Sequence, residues 1–443
     1  MKLNKVKESA PVFTHEGAKG QKVNALKQLE RTILSCFLWE DSFYENGEDV
    51  ADRIQKLVPK VPFDSLSELA IRARSENNLR HVPLLICAVA VSCFNGKKVG
   101  DMIAQVIQRP DEMGELISIY WKLNGKKMIP RQMKIGIARA FKKFNEYQLA
   151  KYNSQKANVK LRDVVFLCHI RAGNNEEMGT LIAKLVNKSE IPLFIAQGYN
   201  IDQNKVGLES PETWENRLSR GEDKKTVFTE LLEQKKLSGL ALLRNLRNME
   251  EAGVKNQLVK DAIMQMNTDR ILPFRFIAAN RNSHSYRHEL EKAMFACAEK
   301  LPVLKGETVL LVDVSGSMSS AISGKSDLNR CDAAGGLAIL LREICEDVSV
   351  YPFEGHLHPK NLKRGFDLAE SLRPCGGTDI GASVATAKKL HPKADRIIVI
   401  TDEQSLSPVP KPVGKGYMIN VGHYQNGVSK QGDWETISGF SES

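Results

Sequence analysis

The sequence lacks long apolar runs. In its 443 residues no apolar stretch approaches the ~20 residues that a helix needs to cross a bilayer. Its opening letters, MKLNKVKESAPVF, contain no apolar core of a secretory signal. We therefore expect a cytoplasmic protein that makes no use of a membrane.

The eight cysteines lack the Cys-x-x-Cys spacing that zinc sites and redox motifs use. Most stand among apolar neighbours, as Cys87 and Cys93 do in LICAVAVSCF. Such a setting is typical of reduced thiols in a core. The cysteines therefore favour neither disulfides nor a zinc site.

Acidic residues are scarce in one part of the chain. The net charge of +10 divides into +12 for residues 1–300 and −2 for residues 301–443. Residues 122–171 hold 13 basic side chains and only two acidic ones, Glu146 and Asp163. A basic excess confined to about 50 residues is typical of a surface that binds a polyanion.

The pattern of apolar residues changes near residue 303. Before it, apolar residues recur at helical spacing, as Leu26, Leu29, Ile33 and Phe37 do, and period-two alternation is scarce. After it, aliphatic runs such as Thr308–Val314 and RIIVIT alternate with amphipathic segments, which predicts an α/β doubly wound domain with a parallel sheet. We therefore expect a multidomain protein, all-α over residues 1–303 and α/β over residues 304–443.

The stretch TVLLVDVSGSMSS ends a predicted buried strand with Asp313, Ser315 and Ser317. Thr378, in the loop PCGGTDI, and Asp402, after IIVIT, are expected at the same carboxyl edge of the sheet. Carboxylate and hydroxyl oxygens are ligands that suit Mg²⁺. The fragment Asp-x-Ser-x-Ser alone is weak, because serine-rich turns and helix caps also produce it.

The combined pattern resembles the von Willebrand factor A domain and its metal-ion-dependent adhesion site. The resemblance implies a bound Mg²⁺ or other divalent cation that coordinates an acidic side chain of a partner. The residues that would bind the cation are Asp313, Ser315, Ser317, Thr378 and Asp402. It also implies binding without catalysis. An enzymatic alternative has less support, because Ser315 replaces the second carboxylate of a phosphatase-like site and SGSMSS lacks the second glycine of a hydrolase elbow.

The segment RQMKIGIARAFKKFNEY, residues 131–147, predicts a helix with one apolar and one cationic side. A solvated helix face normally mixes charges of both signs, whereas this one carries no acid before Glu146. The segment KLRDVVFLCHIR predicts a helix with Arg162 and His169 on one face and Arg171 near its end. A lone histidine there also fits a buried core residue.

The helical region resembles the TROVE module of the Ro ribonucleoprotein autoantigens, in a bacterial or phage-like form. The matching stretches include VFTHEGAKG, FNEYQLAKY, LRDVVFLCHIRA, PETWENRLSR, LSGLALLRNLRNM and ILPFRFIAA. The resemblance implies a ring of HEAT-like helical repeats (TROVE), followed by the von Willebrand factor A domain. It further implies that the residues that bind RNA are Arg131, Lys134, Arg139, Lys142, Lys143, Arg162, His169 and Arg171.

The Ro family also implies partners. Y-like small noncoding RNA would bind the outer basic surface, and single-stranded 3′ ends of misfolded RNA would enter the ring cavity, in RNA quality control. A 3′-to-5′ exoribonuclease is the implied protein partner, and we expect a monomer. The alternative is a metal-dependent protein-interaction module whose helical solenoid binds acidic proteins.

One departure concerns the letters ETISGFSES, which follow the last predicted strand. They are too few for the final helix of the A domain, so we expect an undercovered face of the sheet.

Overall fold

The computed structural model describes residues 11–34, 47–154, 156–172, 175–186, 191–196, 207–208, 212–269, 271–299, 301–322 and 327–439. The chain divides into two compact units. One consists of residues 52–223, and the other of residues 1–51 together with 224–443. Among the described residues no helix is long and apolar enough to cross a membrane.

Helices make up the described regular structure before residue 304. In chain order the helices of the molecule are α1 (Ala25–Leu34), α2 (Gly47–Leu57), α3 (Phe63–Ser75), α4 (His81–Cys93), α5 (Lys97–Val106), α6 (Pro110–Asn124), α7 (Arg131–Phe141), α8 (Glu146–Lys151), α9 (Leu161–Leu167), α10 (Glu176–Leu185), α11 (Ile191–Ala196), α12 (Trp214–Ser219), α13 (Lys224–Glu233), α14 (Gly239–Glu251), α15 (Asn256–Gln265), α16 (Pro273–Asn282), α17 (Arg287–Glu299), α18 (Arg330–Ile344), α19 (Gly365–Ser371) and α20 (Ile380–Leu390).

Local sequence explains where several helices begin. Asn145 and Gln148 form a reciprocal cap at α8, because each side chain accepts a hydrogen bond from the backbone N–H of the other. At α6 the buried Glu112 accepts from the backbone N–H groups of Gln108 and Arg109. The other carboxylate oxygen of Glu112 accepts a hydrogen bond from the guanidinium of Arg74. The residue that caps α6 therefore also forms a buried ion pair that links α3 to α6.

The α/β part contains a five-stranded sheet of β1 (Leu304–Asp313), β2 (Cys345–Phe353), β3 (Arg396–Thr401), β4 (Lys415–Asn420) and β5 (Glu435–Ser438). The strands lie in the order β2-β1-β3-β4-β5, and all neighbouring pairs are parallel. Strand β1 lies between β2 and β3, and its last residue Asp313 pairs with Phe353 of β2. Asp402 follows β3, the neighbour on the other side. This topology brings the ends of three chain segments to one edge.

Both faces of β1 are buried. Val309 and Leu311 pack in one cluster with Val384 and Ala387 of α20. Because successive side chains of a strand point to opposite faces, Leu310 lies on the other face of the sheet. Helix α18 contacts β1, β2 and β3 there. The predicted fold class, a helical region followed by a doubly wound α/β domain, is confirmed.

Two predicted helices have the wrong bounds, and two elements were not predicted. The predicted helix over residues 131–147 breaks after Phe141, and α8 starts afresh at Glu146. The helix through LRDVVFLCHIR ends at Leu167, so His169 and Arg171 lie beyond it. His169 has a φ of 53°, which a helix cannot contain. The strand β5 and the helix α19 had no strong signal in the sequence and were missed.

The last strand of the sheet, where we expected an undercovered face, has a partner from far away in the chain. Helix α1 contacts β5. The backbone N–H of Gly439 donates a hydrogen bond to the carbonyl oxygen of Asn420, at the end of β4. Leu29 and Ile33, two members of the predicted apolar stripe of α1, are fully buried. Phe37, which was predicted on the same stripe, lies outside the described residues.

Candidate metal centre and candidate nucleic-acid interface

Five side chains predicted as metal ligands lie buried near the carboxyl edge of the sheet. The loop after β1 is joined to the loop of Thr378 by two backbone hydrogen bonds, Gly316 N to Gly376 O and Cys375 N to Val314 O. The carbonyl of Thr378 in turn accepts the N–H of Leu406, which follows β3. These loops hold the five predicted residues Asp313, Ser315, Ser317, Thr378 and Asp402, each at most 3% exposed.

Asp313 is held by its own loop and by the neighbouring strand. One carboxylate oxygen accepts the backbone N–H of Ser315 at 2.8 Å, and the other accepts the hydroxyl of Thr401. Burial, with the nearby charge of Asp402, nevertheless raises the pKa of Asp313 to about 7. Two carboxylates in one dry site repel each other when both are ionised. A cation would remove this repulsion.

The remaining oxygens fit a hard cation. The hydroxyl oxygens of Ser315 and Ser317 are 3.2 Å apart. Adjacent oxygens around Mg²⁺ lie about 3 Å apart when the metal–oxygen bonds are 2.0–2.1 Å long. The Oδ2 atom of Asp402 is buried and has no hydrogen-bond partner among the described residues. Because an orphaned buried carboxylate oxygen is costly, this atom points to a missing ligand.

Arg330 is a neighbour of this site that the sequence did not reveal. Its Nη1 lies 3.7 Å from Oδ2 of Asp402, and both side chains are buried. Burial raises the pKa of Asp402, and the charge of Arg330 offsets part of that effect. The guanidinium also donates to the hydroxyl of Tyr424 at 2.6 Å. No local signal marks Arg330, because its contacts join residues more than 70 positions apart.

The predicted RNA-binding residues all lie in the unit of residues 52–223, but they differ in their surroundings. The structure brings together two segments predicted separately, because Lys134 Nζ lies 3.2 Å from His169 Nε2. An ammonium can only donate, so the ring nitrogen accepts. His169 is exposed, which rules out the alternative of a core histidine. Arg131, Lys142 and Arg171 are also exposed, and within the described part of the chain no acidic side chain pairs with them.

Three other predicted cations are engaged within the protein. Arg139 forms an ion pair with Asp101. Lys143 donates to the carbonyl oxygens of Ala104 and Ile107, at the end of α5, and burial lowers its pKa. Arg162 lies near its neighbour Asp163, with 3.5 Å between Nε and Oδ1.

Aromatic side chains accompany the basic residues. The side chain of Tyr147 is 55% exposed, so its ring is not part of the core. The guanidinium of Arg109 lies over the ring of Tyr152, 4.4 Å from its centroid. One face of Tyr152 is therefore already covered, whereas Tyr147 offers an open ring.

Arginines also meet in the second unit. Burial, together with the charge of Arg244, lowers the pKa of Arg275 to about 10. Two guanidiniums that repel each other favour an anion between them. Two further arginines of this region are no candidates for such a pair, because Arg247 pairs with Glu251 and Arg270 lies outside the described residues.

Fold and site together define a helical protein with a doubly wound domain whose sheet edge presents a carboxylate and hydroxyl cluster. Residues 200–302 match the model of the TROVE domain. The crystal structure of the Deinococcus radiodurans Ro (RSR) protein has the same fold, with a TM-score of 0.60 over 94% of this chain and 97% of that chain, at 15% sequence identity.

Two mammalian proteins are also similar to this chain. Telomerase protein component 1 of Rattus norvegicus is 23% identical over 367 residues, which cover 67% of this chain and 14% of that protein. Telomerase protein component 1 of Mus musculus is 24% identical over 305 residues, covering 53% and 11% respectively. The chain thus spans only a small part of the length of these relatives. The predicted resemblance to the Ro family is confirmed by the TROVE match and the shared fold.

Proposed function

We propose that this protein is a noncatalytic RNA-binding scaffold of a small ribonucleoprotein. Y-like small noncoding RNA would bind the basic surface of the unit formed by residues 52–223. Single-stranded 3′ ends of misfolded RNA would bind in the ring cavity implied by the resemblance, in RNA quality control. The contact of Lys134 with His169 carries this proposal, since it unites two basic segments 35 residues apart on one exposed surface.

The chemistry of that surface suits a sugar-phosphate backbone. Arg131, Lys142 and Arg171 are exposed and Lys134 is half-buried, and no acidic side chain among the described residues neutralises these cations. Each phosphate contact releases counterions, which gives affinity with little dependence on sequence. The exposed ring of Tyr147 could add stacking with an unpaired base.

A separate site would bind the single-stranded end. The guanidiniums of Arg244 and Arg275 lie close enough to lower the pKa of Arg275, and a phosphate between them would relieve that repulsion. These two arginines are our candidates for the cavity wall.

The α/β domain would recruit a protein through Mg²⁺. Asp313, Ser315, Ser317, Thr378 and Asp402 would hold the ion, directly or through water, since the structure buries all five and leaves one Asp402 oxygen without a donor. When bound, the ion supplies a positive charge that attracts an acidic side chain of the partner. A 3′-to-5′ exoribonuclease is the partner class that the family resemblance favours.

A salt titration tests the RNA-binding proposal. Electrophoretic assays would compare a duplex with a single-stranded 3′ tail and a blunt duplex at 50–200 mM salt. We expect the affinity for both RNAs to fall steeply, with a log–log slope of several units. The tailed duplex should bind more tightly, and both should remain intact after incubation.

The control is Asp313→Ala, which should leave RNA affinity unchanged because Asp313 belongs to the other compact unit. Loss of RNA binding in this variant would contradict the division of roles. If the protein binds no RNA but retains an acidic protein in a Mg²⁺-dependent manner, the alternative of a protein-interaction module is correct. Turnover of RNA that Asp313→Ala abolishes would establish an enzyme.

A further inference from the structure

A second cluster of ligand atoms follows β2. Glu354, His356 and His358 each offer one donor atom, and these three atoms lie within 4.8 Å of one another. The cluster uses imidazole nitrogens, in contrast to the oxygens near Asp313. It belongs to the same compact unit but shares no residue with the Mg²⁺ site proposed above.

A tight turn places the three side chains together. The N–H of His358 donates to Pro352 O and the N–H of Glu354 to His356 O, and Phe353 forms an antiparallel bridge with Leu357. This turn keeps the donor atoms of residues 354, 356 and 358 within 4.8 Å of one another.

The two distances from the Glu354 carboxylate to the imidazoles are near those around a tetrahedral ion. Oε1 of Glu354 lies 3.1 Å from Nδ1 of His356 and 3.4 Å from Nε2 of His358. Ligand atoms at 2.0–2.1 Å from a tetrahedral Zn²⁺ are about 3.3–3.4 Å apart. The other oxygen of Glu354 accepts the N–H of Gly355, so Oε1 remains directed at the two imidazoles.

The backbone around Glu354 is fixed. Its carbonyl accepts the N–H of Asp379 at 2.8 Å, next to Thr378. Gly376 has a φ of +65°, and a Cβ there would come within 3.0 Å of Oε2 of Glu354. The carboxylate of Glu354 therefore packs against the loop at Gly376, which has no side chain. This packing orients the ligand before any ion binds, while the exposed His356 leaves solvent access for a fourth ligand.

We propose that Glu354, His356 and His358 bind a transition-metal ion with a preference for imidazole, foremost Zn²⁺. Two imidazoles and one carboxylate form a three-ligand set that leaves one tetrahedral position for water or for a partner's side chain. Mg²⁺ and Ca²⁺ prefer oxygen ligands and would compete poorly. Because the backbone carbonyl of Glu354 accepts a hydrogen bond from the N–H of Asp379, bound Zn²⁺ would also stabilise the position of the loop that carries Thr378.

Zn²⁺ binding to the full-length protein tests this proposal. The metal-stripped chain would be titrated with Zn²⁺ against a chromophoric chelator in excess Mg²⁺. We expect one high-affinity Zn²⁺ per chain. Either His356→Ala or His358→Ala should weaken binding by more than about tenfold, and the double variant should abolish it.

Two controls separate this site from other sources of affinity. His288→Ala removes another exposed histidine outside the cluster, and Asp313→Ala removes the proposed Mg²⁺ site; neither should change Zn²⁺ affinity. Circular dichroism would verify that each variant is folded. The proposal is overturned if no Zn²⁺ binds at micromolar concentration, or if the double variant binds as tightly as the parent, which would assign the metal to thiols such as the exposed Cys375.

Discussion

At the scale of single residues, opposing effects act on the pKa of Asp313. Its carboxylate accepts hydrogen bonds from Ser315 and Thr401, which favour the charged form. Burial and the charge of Asp402 disfavour that form more strongly, so the pKa of Asp313 rises to about 7. A site arranged in this way is stable when it holds either a proton or a cation.

This balance predicts a pH dependence of stability in the absence of metal. An unfolded aspartate titrates near pH ~3.9. Between that pH and about 7 the folded state binds more protons than the unfolded state, so the free energy of unfolding should fall as the pH rises. The decrease is at most about 4 kcal/mol for a difference of about three pKa units. Urea unfolding in chelator at pH 5 and pH 8 measures it.

Mg²⁺ should restore the lost stability at pH 8 and have a much smaller effect at pH 5, where a proton occupies the site. At a concentration of 100 times its dissociation constant it would add about 2.7 kcal/mol. The control Asp313→Asn should reduce both the pH dependence and the Mg²⁺ effect, leaving the part of the pH dependence that comes from the buried Asp402. An undiminished Mg²⁺ effect in this variant would place the ion elsewhere.

At the scale of elements, the end of α7 separates two neighbouring lysines. Lys142 follows the last helical residue and is exposed to solvent. Lys143 instead reaches the carbonyls of Ala104 and Ile107, at the end of α5, where a helix has no backbone donors of its own. Adjacent residues of the same type therefore have different roles.

Alanine substitution should distinguish these two roles. Lys143→Ala removes a charged donor from two carbonyls and should lower the free energy of unfolding by about 1–2 kcal/mol. Lys142→Ala should leave stability within about 0.5 kcal/mol of the parent and reduce the log–log salt slope of RNA binding by almost 1. Urea unfolding and electrophoretic assays provide the two readouts. An unchanged slope in Lys142→Ala would remove this residue from the RNA interface.

At the scale of the whole molecule, residues from opposite parts of the sequence build one unit. Arg31 of α1 lies 2.5 Å from Glu403, directly after Asp402, and both side chains are buried. Its Nε also donates to Tyr424 O at 2.9 Å. Thr14 donates its hydroxyl to Ser405 O at 3.0 Å. The segment of residues 11–34 therefore stabilises the loop that carries a predicted metal ligand.

Loss of the buried ion pair should be costly. Arg31→Ala leaves Glu403 buried without its partner, and we expect the free energy of unfolding to fall by about 3–5 kcal/mol. The double variant Arg31→Met with Glu403→Gln should recover most of this loss, because neither side chain is then charged. Urea unfolding checks both variants. A cost below about 1 kcal/mol for Arg31→Ala would show that the contact adds little to stability.

Sequence patterns predicted the change from a helical region to alternating strands and helices, although α19 and β5 were missed. They also predicted the positions of Asp313 after β1, Thr378 before α20 and Asp402 after β3. These features follow from local periodicity, since the ends of parallel strands meet at one edge wherever the strands lie. Which cations remain available depends on long-range contacts: Arg139 and Lys143 are engaged by the protein, whereas Lys134 contacts His169. The same holds for Arg31 with Glu403. Such contacts join residues 35 to more than 370 positions apart, and a helical wheel contains no information about them.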